Sequence, residues 1–130
     1  NSMITHVSST SIYVNDQDEA IDFYVNKLGF ELQADNPMGN DTRWVQVAPP
    51  GEKTAIILIK GYADWTPDKV GGFTRMVLAA YDVQATYATL SARGVHFTEP
   101  PIVTDWGMTQ ALFEDQDGNG YVLVGPIPQG

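Results

Sequence analysis

Hydrophobic and polar positions alternate along a short stretch, switch to helical spacing, then alternate again, and this succession occurs twice. Ser11-Ile12-Tyr13-Val14 reads as a period-two strand, residues 17–28 as a helix, and Phe30-Glu31-Leu32 as the opening of another strand. The same order returns in Met76-Val77-Leu78-Ala79-Ala80, residues 83–93, and Val95-His96-Phe97. Asp16 and Asp82 stand where an N-cap belongs, Glu19 completes a capping box in the first copy, and Gly29 and Gly94 occupy the left-handed C-terminal position. From Asp16 to Asp82 the offset is 66 residues and from Gly29 to Gly94 it is 65, half of a 130-residue chain. The pattern is that of a duplicated module.

In the first helix Ala20, Phe23, Tyr24, Lys27 and Leu28 form a mostly apolar stripe; Val83, Thr86, Tyr87, Leu90 and Arg93 form a weaker one in phase with it. Three strand-like runs follow each helix. In the first half they are 30–34, 42–48 and 54–60, divided by turn chemistry at 36–41 and 49–52. In the second half the first is 95–98, continued by a short 102–104 beyond a Pro100-Pro101 break, and the others are 108–113 and, after the turn at 115–120, 121–124. These elements predict an α+β fold in which two tandem βαβββ modules form a curved, mostly antiparallel eight-stranded sheet, helices outside and a concave cleft inside. The modules cover about 4–62 and 72–127 of a single domain spanning 3–130. The connector, 61–72, contains Trp65, Pro67 and Gly71-Gly72, and its length suits a lid or a domain-swap hinge. Asn1-Ser2 ahead of Met3 reads as an addition before a native start and is left out of the fold reasoning.

Charge narrows the function classes. Seven Lys and Arg against sixteen Asp and Glu give a net charge of −9, and the basic residues are scattered. Such a surface repels phosphate backbones and anionic lipid heads, so neither nucleic acid nor a membrane is an expected partner. The apolar runs, such as 55–59, fall far short of the roughly 20 residues of a membrane span. The absence of cysteine excludes disulfides, thiolate metal sites and a Cys nucleophile; without a secretory signal, the cytoplasm is the expected location.

Val14-Asn15-Asp16, Ala20-Ile21-Asp22-Phe23-Tyr24 and Leu28-Gly29-Phe30 together resemble the V-x-D-x-x-x-A-x-x-F-Y-x-x-x-L-G-F signature of the vicinal oxygen chelate superfamily. That superfamily comprises the glyoxalase, bleomycin-resistance and extradiol-dioxygenase proteins. Phe113-Glu114-Asp115-Gln116-Asp117-Gly118-Asn119 is similar to its F-x-D-P-D-G-N turn, with Gln116 where Pro is usual. The resemblance implies where metal ligands sit in catalytic members: seven residues before the Asp that opens each helix, and three after the Asn of the closing turn. Those positions are Ser9, Arg75 and Val122, and the corresponding first-half position falls near Ile57. None suits a divalent ion, and Arg75 places a permanent positive charge there. His6, in Ile4-Thr5-His6-Val7, serves as a ligand only if the strand register slips by three residues. No metal or other cofactor is therefore expected.

By alternation Ser9, Ser11 and Tyr13 face the cleft, as do Arg75 and Val77, with Val122 on its floor. The third strands contribute alternate members of Arg43, Val45 and Val47 or of Trp44 and Gln46, and of Met108, Gln110 and Leu112; the pattern leaves the phase open. Trp65 and Trp106, in polar turns, are read as a cleft gate or a dimer contact. Arg75 either binds a ligand carboxylate or phosphate or closes an internal salt bridge, and Glu114-Asp115-Asp117 reads as a solvated turn. No nucleophile-elbow or paired-acid motif is present. The expected function is metal-independent binding of a small aromatic or amphiphilic molecule by a homodimer. The alternatives are a metal-dependent lactoylglutathione-lyase-like or dioxygenase-like enzyme using His6, Gln46, Gln110 or Glu114, and a regulatory partner without a ligand.

Overall fold

Asp16 accepts a hydrogen bond from the Glu19 amide at 2.9 Å, and Asp82 accepts one from the Ala85 amide at the same distance, so both helices start where side-chain caps place them. The computed structural model describes residues 3–129; the reading of Asn1-Ser2 as an addition falls outside them. The chain divides into two compact units, one up to Val70 and one from Gly71. Each carries a four-stranded mixed sheet, and the pair constitutes the two tandem βαβββ modules of an α+β fold. No helix among the described residues is long and apolar enough to cross a membrane.

In the first module β1 (Ser9–Tyr13) leads into α1 (Gln17–Ile21), a π-helical continuation (Asp22–Lys27), β2 (Glu31–Gly39), β3 (Thr42–Ala48) and β4 (Ala55–Ile59). The sheet order is β1-β4-β3-β2, with β1 and β4 parallel and the other pairs antiparallel. The π segment shows in the i to i+5 bond from the Leu28 amide to the Phe23 carbonyl, 3.0 Å, a spacing that an apolar stripe alone does not reveal. Ile12, Val14, Ala20, Phe23, Tyr24, Val45, Val47 and Leu58 are buried. Gln17, also buried, ties helix to sheet by donating from Nε2 to the carbonyls of Leu58 and Arg43, at 2.8 and 2.9 Å.

The second module repeats the plan with β5 (Gly72–Ala79), α2 (Val83–Ala92), β6 (His96–Val103), β7 (Thr109–Glu114) and β8 (Asn119–Gly125), ordered β5-β8-β7-β6. An aromatic chain joins its helix to its sheet: Tyr87 meets Phe97 edge-on, Phe97 meets Phe113, and Phe113 stacks on Tyr121. Such contacts add to the stabilisation from burial, about 1.5–3 kcal/mol for each large apolar side chain.

Two expected breaks are strand instead. Segment 36–39, expected as turn, lies in β2, and the hairpin turns at Asn40-Asp41, both left-handed at φ 53° and 61°. Pro100-Pro101, expected to interrupt, lies inside β6, where the register shifts against β7. Both strands are sheet edges, so a proline there removes no hydrogen bond the sheet needs, and the shifts absorb the distortion.

Candidate functional site

Along β7 and β8 every second residue is buried: Thr109, Ala111 and Phe113 on one strand, Tyr121, Leu123 and Gly125 on the other. Strand alternation assigns Gln110, Leu112, Glu114, Val122 and Val124 to the opposite, more open face. Register continues that face onto β5, where Val77 pairs with Val122 and Phe73 with Gly120, and onto β6, where Glu99 pairs with Leu112 and Ile102 with Gln110. Phe73 and Val77 are 61% and 59% exposed, high values for large apolar side chains on a sheet. A hollow of about 390 Å³ opens among Phe73, Thr98, Leu112, Glu114, Gly120 and Val122, within the range of small-molecule sites. Gly120 keeps part of its floor low: a Cβ there would lie 3.7–3.8 Å from Phe73. On its polar side, His96 Nε2 stands 4.0 Å from Glu114 Oε1.

The corresponding face of the first module is polar. Ile57 pairs laterally with Ser11 of β1 and with Gln46 of β3, so these three side chains share a face, with Tyr13 further along β1 and Ser9 at its start. Trp44 Nε1 donates to Gln46 Oε1 at 3.1 Å, and Gln46 Nε2 donates to Gln33 Oε1 at 2.8 Å. This register settles the phase of β3: Trp44 and Gln46 share a face with Ser11, and Arg43 lies on the helix side. There its guanidinium meets Asp35 Oδ2 at 2.8 Å and Asp18 Oδ1 at 2.9 Å. The Arg43 guanidinium hydrogen-bonded to Asp35 holds that carboxyl below its ordinary range and is itself raised in return. Arg43, expected in the cleft, is thus a clamp between α1 and the sheet.

The connector beyond β4 is pinned. Tyr13 Oη donates to the Ala63 carbonyl at 3.0 Å and to Asp64 Oδ1, and Lys69 Nζ reaches Asp64 Oδ2 at 3.2 Å. Trp65 donates its indole N–H to the Val14 carbonyl at 3.0 Å and lies under Lys60 Nζ, 5.2 Å from the ring centroid. Ala63 and Asp64 are both left-handed, φ 50° and 53°, so the strap is a tight, tethered turn, and Trp65 is one of its anchors. The hydrogen bond from Tyr13 lowers the Asp64 pKa and raises that of Tyr13.

Of the other anticipated residues, Arg75 sits in a bulge of β5 with φ 65°, Gln110 and Val122 lie on the open face of the second module, and Trp106 projects from the β6–β7 turn, 72% exposed. Asp115 departs from the solvated-turn expectation. It is buried and accepts from the Asp117 and Asn119 amides at 2.9 Å and from Asn119 Nδ2 at 2.8 Å, while Asn119 Oδ1 accepts from Gly71 N at 3.1 Å. Phe73 and Thr98 were missed as pocket residues, although a Phe directly after Gly71-Gly72 was the available signal, while Leu112 was among the candidates whose phase the pattern left open. A divalent metal of the kind used by catalytic members of the resembled family does not fit. The four positions carry a hydroxyl (Ser9), two alkyl groups (Ile57, Val122) and a guanidinium (Arg75), and among the described residues no three His, Asp or Glu side chains gather.

The fold agrees with the comparisons. Residues 4–123 match the model of the Glyoxalase/Bleomycin resistance protein/Dioxygenase superfamily. Uncharacterized protein YetH of Bacillus subtilis is 33% identical over 125 residues, covering 93% of this chain and 98% of its own. A member of the same superfamily from Sphaerobacter thermophilus superposes with a TM-score of 0.85 at 44% identity, over 95% of this chain and 99% of its own. TnmS3, an antibiotic binding protein from Streptomyces sp. CB03234, superposes with a TM-score of 0.80 at 41% identity, over 98% of this chain and all of its own. The chain therefore belongs to the glyoxalase/bleomycin resistance protein/dioxygenase superfamily.

Proposed function

We propose that this protein is a metal-independent small-molecule binder of the resistance or sequestration type, holding a small aromatic or amphiphilic ligand on its sheet faces. The observation that carries the reading is the apolar hollow of about 390 Å³ over Phe73, Leu112 and Val122, with few polar groups at its rim. The antibiotic binding of TnmS3, at 41% identity, supports the same reading. In this scheme Val77 extends the apolar wall, Gln110 adds an amide to the same face, and Ser9, Ser11, Tyr13, Gln46 and Ile57 form a more polar counterpart on the first module. The reading includes a homodimer, supported by the exposed Ile102, Val103 and Trp106.

Native mass spectrometry tests it. The purified chain is measured with and without zinc, nickel, manganese and iron, then with planar aromatic probes. A mass unchanged by the metals and raised by one probe per chain is the expected result. One tightly held metal per chain with no probe bound would overturn the reading in favour of a lyase or dioxygenase using other ligands.

A further inference from the structure

We propose that the open face of the second module takes an elongated apolar molecule bearing an acid group at one end, and that Arg75 holds that group. This inference rests on the small-molecule reading above and specifies its chemistry.

The backbone supplies the first argument. Phe73 pairs with Gly120 and Val77 with Val122, so three residues of β5 are set against one of β8 and two are surplus. Arg75 lies in this bulge at φ 65°, a conformation that a long side chain adopts at a cost glycine would not incur. Thr74 holds the bulge in place: its Oγ1 donates to the Gly120 carbonyl at 2.7 Å and accepts from the Met76 amide at 3.1 Å. Strain maintained by its surroundings points to a use for the strained residue.

Charge supplies the second. The chain has sixteen Asp and Glu, yet Arg75 forms no ion pair among the described residues, whereas Arg43 binds two carboxylates. Arg75 is exposed on β5, the strand whose Phe73 walls the hollow, and a guanidinium offers two parallel N–H donors to a carboxylate, phosphate or sulfonate. Arg75 lies between Phe73, which walls the hollow, and Val77, whose partner Val122 floors it.

The face is also polar at its far side. Glu114 lines the hollow from β7, two strands from β5, which at about 4.8 Å per strand is roughly 10 Å away. Its carboxylate repels an acid group there and accepts O–H or N–H donors instead, so the ligand's acid end is directed to the β5 edge. A charged bulge on an edge strand also deters pairing with other chains, and the experiment must separate that role from binding.

The full chain is titrated by fluorescence polarisation with 2-anthracenecarboxylate and with 2-anthracenecarboxamide, alike in shape and different in charge. The expected wild-type result is at least tenfold tighter binding of the carboxylate. R75Q should reduce that preference to less than about twofold, and R75G should do the same without lowering Tm. Equal binding of both probes by the wild type would overturn the inference and leave the small-molecule reading standing; binding of neither would remove both. A retained preference in R75Q, with self-association by size-exclusion chromatography, would overturn the inference and make Arg75 an edge guard.

Discussion

The two modules share one grammar and finish it differently. In the first, the amide of Val14 bonds to the Ile59 carbonyl at 2.9 Å and the chain continues with Lys60, whose Nζ reaches the Asn15 carbonyl at 2.6 Å and covers Trp65. In the second, the equivalent bond runs from Ala80 to Val124 at 2.9 Å and the chain continues with Gly125. A Cβ on Gly125 would lie 2.4 Å from the Ala80 carbonyl oxygen and 2.8 Å from Val83 Cγ2. The first module closes its end with a tethered strap and fills its open face with the Trp44-Gln46-Gln33 relay; the second closes by backbone apposition and leaves Phe73 and Val77 bare. Duplication preserves the elements and frees one face to specialise, because the buried face alone is held by the core.

The sharpest way to break this contrast is at its two ends. Gly125→Ala drives backbone into backbone and should destabilise by about 3 kcal/mol or more, whereas Lys60→Ala should cost less than about 1 kcal/mol. Urea unfolding followed by circular dichroism measures both. Equal costs would show that the two closures are not different in kind.

The second test targets Asp115, which accepts from two amides and the Asn119 side chain while buried, whereas in the first module's 49–52 turn the exposed Glu52 accepts from the Lys53 and Thr54 amides. Asp115→Ala leaves two amides and the Asn119 side chain without their acceptor and should cost about 2–3 kcal/mol. Faster amide exchange at Gly71, bound to Asn119 Oδ1, should accompany it. Unchanged exchange there would separate the turn from the start of β5.

The strap of the first module should respond to pH on both sides. Asp64 has a lowered pKa in the fold, so its contribution is present above the ordinary carboxylate value near 4 and is lost as pH falls through the folded value. Tyr13 has a raised pKa, so its contribution is present below about 10 and is lost as pH rises through the folded value. Protection of the Trp65 indole N–H from exchange, relative to a free indole at the same pH, should be greatest between these limits, and Asp64→Asn should flatten the acid side. A pH-independent indole would mean that the Val14 carbonyl alone holds the strap.

The smallest effect is expected at the pocket floor. Gly120→Ala places a methyl at ordinary contact distance from Phe73, so Tm should shift by no more than about 3 °C while aromatic probe affinity falls several-fold. An unchanged affinity would place the ligand elsewhere on the module.

Much of the fold was legible because it rests on local rules. Asp16, Asp82, Gly29 and Gly94 mark helix ends through interactions within a few residues, and the strands follow from alternation. Pro37 and Pro100-Pro101 misled because proline is a breaker only where its missing N–H is needed, and edge position is a property of the sheet. The π-helical turn at 22–27 was hidden for a related reason: the apolar stripe is compatible with either spacing, and packing chose.

The sequence by itself determined that this chain is a duplicated βαβββ protein, with superfamily signatures at both ends and residues unsuited to metal at the four ligand positions. Those are statements about residue identity and order. Only the tertiary structure decided that Arg43 clamps a helix while Arg75, in a strained bulge, has no ion pair among the described residues, that Gln46 joins Ser11 and Ile57, and that Asp115 is a buried scaffold. Each depends on which strand lies beside which and in what register. That information comes from non-local pairing, which local sequence patterns do not encode.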